Sequence, residues 1–256
     1  MSTMLWLGLT AALLCAQPDP EARWQAFLAW LSARPPDSKP ANLLRPYRAE
    51  LIRMGMSPVE AERELDRLGH LAFTRPNGAK VLWNKVYGGR DPIFVQTPNA
   101  LLASAIQDRK PGRALDFGMG QGRNAVFLAM QGWDVTGFDP SDEAIRQAQA
   151  NAAKASVKIR ALVSTDDRFD FGVAQWDLIA MTYIRSPTAR DAERIRRALA
   201  PGGVFVYENG SDRHNELLKL FLPLRILRFE DMDAFPDWNP TEKIRLERLV
   251  AEKPRE

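Results

Sequence analysis

Cysteine and histidine are scarce in this chain of 256 residues, which has one cysteine and two histidines. A single cysteine, Cys15, excludes both an intramolecular disulfide and a zinc site built from cysteines. The two histidines, His70 and His214, lie far apart in different sequence contexts and form no metal-binding motif. The sequence therefore predicts no metal centre.

A strong charge of one sign is also missing. The chain has 35 Lys and Arg against 32 Asp and Glu, which gives a formal net charge of +3. Basic and acidic side chains alternate, as in Arg190–Arg194, and this pattern is typical of a solvated surface rather than a nucleic-acid-binding stripe. We therefore expect no nucleic-acid partner, and the sequence does not predict an oligomeric state.

An apolar run long enough for a comfortable membrane span is absent as well. The run Met4–Ala16 has about the length of a signal-peptide core. No Lys or Arg precedes it, and Leu13 and Leu14 before Cys15 fit a lipoprotein processing box poorly. Export or membrane anchoring and an ordinary buried or interfacial helix are both open interpretations, and membrane contact is expected only through these residues.

The most informative feature that is present is an acidic, glycine-rich segment, Asp116–Asn124 (DFGMGQGRN). It joins a short apolar run to the helical pattern Ala125–Met130. Its glycines, Gly118, Gly120 and Gly122, allow the backbone to turn tightly or to lie against a ligand, and the start of the helix offers free N–H groups. The segment therefore predicts a binding site for a nucleoside-type ligand at a strand-to-helix turn.

Two kinds of nucleoside ligand compete for such a turn. A dinucleotide fingerprint requires G-x-G-x-x-G, but Arg123 stands where the third glycine should be. Asp116, at the end of the strand, would also repel a pyrophosphate a few ångströms away. A ligand that carries positive charge fits these residues better.

The segment resembles the first motif, acid-x-Gly-x-Gly-x-Gly, of the class I S-adenosylmethionine-dependent methyltransferases. Its ending, Gly120–Ala125, is most similar to the branch of tellurite-resistance-type and other small-molecule methyltransferases, and the resemblance covers Trp83–Pro254. It implies S-adenosylmethionine as the cofactor, with Asp116 near the methionine ammonium and the glycine backbone around the ligand. The cofactor-binding residues implied in this loop are Asp116, Gly118, Met119, Gly120, Gly122 and Asn124.

Acidic side chains follow the next two predicted strands. Asp139 ends the strand Trp133–Asp139 about twenty residues beyond the glycines, the distance at which a βαβ unit delivers a carboxylate to a ribose diol. The strand Val157–Val163 comes before a polar segment in which the resemblance implies a contact to the adenine amino group. Asp166 is the first choice for this contact and Asp167 the second.

The remaining strands complete a sheet. Trp176–Met181 reads as a strand buried on both faces, and Val204–Glu208 follows a Pro-Gly-Gly turn that also resembles the family. Leu224–Glu230 and Lys243–Lys253 alternate enough to form a closing antiparallel pair. The predicted fold class is α/β: a Rossmann-like methyltransferase fold whose mainly parallel seven-stranded sheet ends in an antiparallel hairpin, with an N-terminal helical segment in addition.

We expect three parts along the chain. Residues 1–16 form a signal-like or anchor segment, residues 17–80 a helical cap or extension, and residues 81–256 the methyltransferase domain. A capping box with proline at the first helical position, Ser57–Glu60, starts one of the early helices. These helices either cover an acceptor pocket or pack against the sheet or a partner.

The implied function is methyl transfer to a small-molecule acceptor. A sulfonium methyl group is already activated, so a soft acceptor such as a thiol or chalcogen species needs no strong base. Met181 and Tyr183 come at the end of the fourth strand, where Met181 is a candidate cofactor contact and Tyr183 a candidate catalytic residue. Tyr87 and His214 are the other candidate catalytic residues, although packing and an ordinary polar loop are the simpler interpretations.

Two alternative functions and one alternative location accompany this interpretation. A nicotinamide-dependent oxidoreductase would use the same kind of fold, and a non-catalytic protein would keep the donor site as a sensor or scaffold. Catalysis in the cytosol is favoured because the methyl donor is made and kept there, whereas export through the N-terminal run would separate the enzyme from its cofactor.

Overall fold

The structure is a computed structural model that describes residues 19–33, 44–75, 77–88, 94–211, 215–239 and 241–255. The chain divides into two compact units, Met1–Ile93 and Phe94–Glu256. The division falls after the position at which the sequence suggested that the methyltransferase domain begins, because residues 81–87 belong to a helix of the first unit.

The first unit is helical. In α3, the Ser57 hydroxyl accepts the Glu60 amide N–H and the Glu60 carboxylate accepts the Ser57 amide N–H, so the predicted capping box is present. Aromatic and aliphatic side chains from three helices, including Trp24, Tyr47 and Leu65, form its buried core. The described helices of this unit are α1 (Pro20–Ser32), α2 (Leu44–Arg53), α3 (Pro58–Thr74) and α4 (Gly78–Tyr87).

The second unit alternates strands and helices, as the sequence predicted. Among the residues that the structure describes, no helix separates the third strand from the fourth or the sixth from the seventh, and the last two strands pair directly. The elements are α5 (Ala100–Ile106), β1 (Arg113–Phe117), α6 (Arg123–Met130), β2 (Asp134–Asp139), α7 (Asp142–Lys154), β3 (Arg160–Val163), β4 (Trp176–Thr182), α8 (Ala189–Ala198), β5 (Leu199–Gly210), α9 (Glu216–Phe221), β6 (Arg225–Ala234) and β7 (Ile244–Glu252).

These strands form a seven-stranded sheet of order β3-β2-β1-β4-β5-β7-β6. The first five strands are parallel, whereas β7 pairs antiparallel with both β5 and β6. The predicted mainly parallel sheet with a closing antiparallel hairpin is confirmed. The order reverses between β1 and β4, and open α/β sheets bind ligands in the crevice at such a switch point.

Both faces of the sheet are buried. In β4, Ile179 and Met181 pack into one apolar cluster and Leu178 and Ala180 into the other, and all four have no exposed surface. A parallel strand that is covered by helices on both sides must be apolar at nearly every position, which is why this run lacks the alternation of a surface strand. The sheet is therefore a rigid base for the loops at its carboxyl edge.

Among the described residues, no helix has the length and hydropathy to cross a bilayer. The apolar run Met4–Ala16 lies outside the described residues.

Candidate functional site

The glycine-rich turn links β1 to α6 through left-handed backbone. The backbone φ angles of Gly118, Gly120 and Gly122 are 65°, 52° and 79°. Residues that carry a Cβ rarely adopt such values. A Cβ on Gly118 would lie 2.5 Å from Cδ1 of Ile184, and a Cβ on Gly122 would lie 2.9 Å from Cβ of Ala148 in α7. Gly118 and Gly122 are thus required by close packing as well as by conformation.

Met119 connects this turn to the next strand. Its amide N–H donates to the carbonyl of Phe138 over 3.0 Å, and its side chain is buried against Gly137. The side chain therefore acts as a core residue that holds the turn beside β2. Its backbone, like that of the neighbouring glycines, is the part that faces the end of the strands.

Four polar side chains stand at or near the carboxyl ends of neighbouring parallel strands. In the sheet register, Asp116 of β1 is adjacent to Ala180 of β4, and Thr182 at the end of β4 is adjacent to Glu208 of β5. Asp139 ends β2, which pairs with β1 on its other side. The topology thus gathers residues that are distant in sequence at the edge where the glycine turn lies.

Asp116 is buried, with 2% of its surface exposed, and its Oδ2 atom has no hydrogen-bond partner among the described residues. Burial raises the pKa of its carboxyl to about 7, because desolvation penalises the charged form more than Arg123 stabilises it. Nearby Asp139 raises this pKa further. A buried carboxylate oxygen without a donor is suited to receive a cationic N–H group.

Asp139 is also buried but better bonded. Its Oδ2 accepts the amide N–H of Gly120 over 3.0 Å, and its Oδ1 accepts the amide N–H of Ser141 over 2.9 Å. Burial raises the pKa of this carboxyl to about 6, although the two N–H groups act in the opposite direction. Each oxygen keeps a further lone pair, so the carboxylate can still accept two hydroxyl groups.

Asn124, in the first turn of α6, joins three elements. Its Nδ2 donates to Oγ1 of Thr182 over 3.0 Å, and its Oδ1 accepts the amide N–H of Asn99 over 2.9 Å. Both ends of the amide are therefore engaged with protein groups. In this structure Asn124 holds the glycine turn against the end of β4.

Tyr183 leaves β4 in a left-handed conformation, with φ at 55°. Its hydroxyl donates to the Glu208 carboxylate and its amide N–H donates to the Glu208 carbonyl. Burial and the neighbouring Glu208 raise the pKa of this phenol well above its usual range, so its hydroxyl stays protonated at neutral pH. A non-glycine residue in this conformation at a strand end is a frequent mark of a functional site.

A set of polar side chains around Tyr183 was not foreseen from the sequence as part of a site. Glu208 accepts hydrogen bonds from Asn99, Tyr183 and Arg248, and Asp237 forms an ion pair of 2.8 Å with Arg123. Tyr183 was itself a candidate catalytic residue, whereas Glu208 and Arg123 were noted only as the end of a strand and as a break in the dinucleotide pattern. The sequence contained no signal for the other members. We call Asn99, Arg123, Tyr183, Glu208, Asp237 and Arg248 the polar cluster.

Asp166, the first choice for the contact to adenine, lies in a network of charged side chains. Its carboxylate is ion-paired with Arg185 and also accepts the amide N–H of Asp167. Arg185 in turn pairs with Asp191, the residue that completes the capping box of α8. Asp167 itself is exposed. A contact from either carboxylate to adenine stays a prediction.

Three other predicted site residues are placed as follows. Met181 is fully buried in the apolar core of the sheet, so its side chain has no exposed surface. Tyr87 is buried in α4 of the first unit, with its ring 6.0 Å from that of Trp83. His214 lies outside the described residues. A search of the described residues finds no group of His, Cys, Asp and Glu that could hold a metal ion.

Part of the chain, including the glycine turn, is similar to known methyltransferase domains. A family profile described as a methyltransferase domain matches residues 114–203, which run from β1 through the Pro-Gly-Gly turn. The matched residues include the glycine turn and both buried carboxylates. The profile therefore ends before Glu208 and Asp237.

Two curated relatives share part of the sequence. The chain is 33% identical over 92 residues to hemagglutinin 1 of Eikenella corrodens, which covers 34% of this chain and 29% of that protein. It is 29% identical over 110 residues to malonyl-[acyl-carrier protein] O-methyltransferase of Pseudescherichia vulneris, which covers 42% of each protein. The aligned segments thus span less than half the length of these relatives.

A solved structure shares the fold. TehB from Haemophilus influenzae superposes with a TM-score of 0.54 at 19% sequence identity, covering 59% of this chain and 61% of that chain.

Proposed function

We propose that residues 114–203, which the methyltransferase-domain profile matches, form a domain of the class I S-adenosylmethionine-dependent type, and that the protein transfers a methyl group from S-adenosylmethionine to a small-molecule acceptor. The proposal is carried by one observation: a buried carboxylate with an unpartnered oxygen, Asp116, stands directly before a left-handed glycine turn.

The residues present fit this cofactor. The free Oδ2 of Asp116 would receive the methionine ammonium, which supplies the cationic donor that the atom lacks. Asp139 would hold the ribose hydroxyls through the lone pairs that its two backbone N–H partners leave open. The backbone of the glycine turn would lie against the ligand between these two carboxylates.

The protein's contribution to the reaction is positioning. Bound S-adenosylmethionine supplies a methyl group that its sulfonium already activates. The residues around the crevice have to orient the acceptor in line with that group and exclude water. Tyr183 suits this task because its protonated hydroxyl is fixed by Glu208, and it is therefore a positioning group rather than a base.

We propose a small thiol or chalcogen species as the acceptor class. The resemblance of the Gly120–Ala125 segment to the tellurite-resistance-type branch supports this choice. It is also supported by the chemistry of soft nucleophiles, which need little help from a general base. The reaction belongs in the cytosol in this proposal, where the methyl donor is made, and mass spectrometry of the mature N-terminus tests that location.

Calorimetry with full-length protein tests the donor first. We expect S-adenosylmethionine and S-adenosylhomocysteine to bind and NAD not to bind, because Arg123 replaces the glycine that a dinucleotide needs. Binding of NAD without binding of the methyl donor would instead identify an oxidoreductase.

A screen with a radiolabelled methyl donor then tests transfer. The acceptor panel should contain small thiols, chalcogen oxyanions, phenols and amines. Transfer to at least one small acceptor is expected. Donor binding without transfer to any member of the panel would favour a sensor or scaffold.

A further inference from the structure

Asp237 brings a carboxylate from a distant loop to the edge of the crevice. It lies in the connection between β6 and β7, and its Oδ2 atom is 2.8 Å from Nη1 of Arg123 and 3.2 Å from Nδ2 of Asn99. Arg123 begins α6 immediately after the glycine turn. Asp237 is therefore linked to the donor side of the site through a single ion pair.

The other carboxylate oxygen of Asp237, Oδ1, is buried and has no hydrogen-bond partner among the described residues. Leaving a buried polar atom without a partner costs about 1–3 kcal/mol, so such atoms are rare outside functional sites. The neighbouring donors are already engaged. The Tyr183 hydroxyl donates to Glu208 while it accepts the amide N–H of Asp237, and the amide of Asn99 is shared between Glu208 and Asp237.

The charges around Asp237 favour a positive ligand group. Arg123 lowers the pKa of both Asp116, which is buried, and Asp237, which is partly buried, so one cation stabilises the charged forms of two carboxylates. Glu208 adds a third carboxylate, which is paired with Arg248. In a poorly solvated crevice, an additional N–H cation would be attracted to this group and an added oxyanion would be repelled.

Aromatic rings complete the surroundings. Trp238 follows Asp237 in the chain, and its ring meets that of Tyr183 at 83° with a centroid distance of 6.4 Å. The guanidinium of Arg123 lies over the Tyr183 ring, 5.8 Å from its centroid, so the Trp238 ring is the aromatic surface that remains for an ammonium group. The loop thus provides both the apolar and the anionic part of an amine-binding corner.

We propose that Oδ1 of Asp237 binds the amino group of the methyl acceptor, so that the acceptor is a small amine-bearing nucleophile, such as an aminothiol, and not a chalcogen oxyanion. This inference rests on the proposed methyl transfer and narrows its acceptor class. Asp237 then determines specificity by contact with the substrate, whereas Arg123 and Asn99 hold its other oxygen in place.

Matched acceptors and one isosteric variant test the proposal. Cysteamine, ethanethiol and mercaptoacetate carry the same thiol with an amine, no charge or a carboxylate. They are assayed by methyl transfer, and their binding to the S-adenosylhomocysteine complex of the full-length protein is measured by calorimetry. The variant Asp237→Asn keeps the size of the side chain and an oxygen for Arg123, and Asp233→Asn, an exposed position in β6, is the control.

We expect Asp237→Asn to weaken cysteamine binding and to raise the KM for cysteamine by at least about tenfold, because one charge-assisted hydrogen bond is lost. The effects of Asp237→Asn on ethanethiol transfer and on S-adenosylhomocysteine binding should be much smaller than its effect on cysteamine, and Asp233→Asn should behave as the wild type with every ligand. Comparing variants on the same acceptor cancels differences in thiol acidity between acceptors.

Two outcomes would overturn the inference while leaving methyl transfer intact. One is transfer to thiols with no preference for cysteamine, and the other is a preference that survives in Asp237→Asn. If no acceptor is methylated, the proposed function fails. The calorimetric measurement still tests the inference in that case, because it is contradicted if cysteamine does not bind to the wild-type S-adenosylhomocysteine complex.

Discussion

At the residue scale, two carboxylate side chains are buried although burial of a charged group is unfavourable for folding. Asp116 and Asp139 are both nearly inaccessible at the ends of adjacent strands, and burial raises the pKa of each carboxyl. A buried carboxylate costs stability unless it is neutral or paired. Retaining two of them beside the glycine turn is understandable when a cationic, hydroxyl-bearing ligand completes their bonding.

Replacing Asp139 tests the role of the second carboxylate. Asp139→Ala should weaken S-adenosylhomocysteine binding by about 1.5–3 kcal/mol, because charge-assisted hydrogen bonds to the ribose are lost. Calorimetry measures the change, and Asp134→Ala, an exposed residue at the start of the same strand, is the control. An unchanged dissociation constant would remove Asp139 from the donor site.

The pKa of about 7 for Asp116 predicts opposite effects of pH on stability and on binding. The folded state holds this proton more tightly than the unfolded chain, where the pKa has its ordinary value of 3.8. This group's contribution to the free energy of unfolding is therefore lost as pH rises towards 7. Binding of the ligand's ammonium requires the charged form, so affinity should increase from pH 6 to pH 8.

Calorimetric titration with S-adenosylhomocysteine at several pH values measures this increase. Asp116→Asn cannot ionise and should show weaker binding with a flatter pH dependence. In Asp116→Asn, binding should still depend weakly on pH near 6, because the Asp139 carboxyl has a pKa of about 6. Binding that tightens as pH falls would contradict the proposed ammonium contact.

At the element scale, the glycine turn and the segment after β4 are built against each other. Gly118 faces Ile184, which directly follows the left-handed Tyr183. The turns that follow β1 and β4 therefore contact each other through these two residues, and the two strands flank the topological switch point. A change in one turn should be felt in the other.

Gly118→Ala should destabilise the protein more than Gly132→Ala does. Both glycines have positive φ, 65° and 87°, so both variants pay about 1–2 kcal/mol of backbone strain. A Cβ at Gly118 also meets Cδ1 of Ile184 at 2.5 Å, whereas a Cβ at Gly132 lies at an ordinary contact distance of 3.7 Å from Cγ of Pro111. Urea unfolding midpoints measure the difference.

The double variant Gly118→Ala with Ile184→Ala separates the two contributions. Removing the Ile184 side chain relieves the clash but not the strain, so the effect of the alanine at Gly118 should shrink to that of Gly132→Ala. Equal destabilisation by the two single glycine variants would show that the Ile184 contact is unimportant.

At the scale of the whole molecule, the second compact unit contains the complete sheet and both apolar clusters that cover it. We expect a shortened chain of residues 94–256 to unfold cooperatively and to bind S-adenosylhomocysteine as the full-length chain does. Circular dichroism and calorimetry measure both properties. A shortened chain that folds but loses binding would assign a part of the donor site to residues 1–93.

The fold and the placement of two acidic residues beside the glycine turn were largely predictable because their signals are local. Asp116 and Asp139 each end a recognisable strand, and the glycine pattern between them lies within a few residues. The strand periods and the closing hairpin also follow from short stretches of sequence. The bounds shifted by a few residues, as at β3 and β5, since hydrogen bonding to neighbours extends or shortens a strand.

The polar cluster was not predictable in the same way. Asn99 and Glu208 are 109 residues apart in sequence, and Asn99 and Asp237 are 138 residues apart. Each of these residues by itself resembles an ordinary cap, strand end or loop residue. The ion pair of Asp166 with Arg185 was not predictable from the sequence either, and the contact of Asp166 to adenine stays a prediction.

The sequence by itself determined the order of strands and helices, the left-handed glycine turn and the two carboxylates beside it, because each depends on residues close together in the chain. Only the tertiary structure decided which buried oxygens lack a partner and which charges share Arg123. Such properties depend on what long-range packing brings within a few ångströms, and no stretch of sequence contains that information.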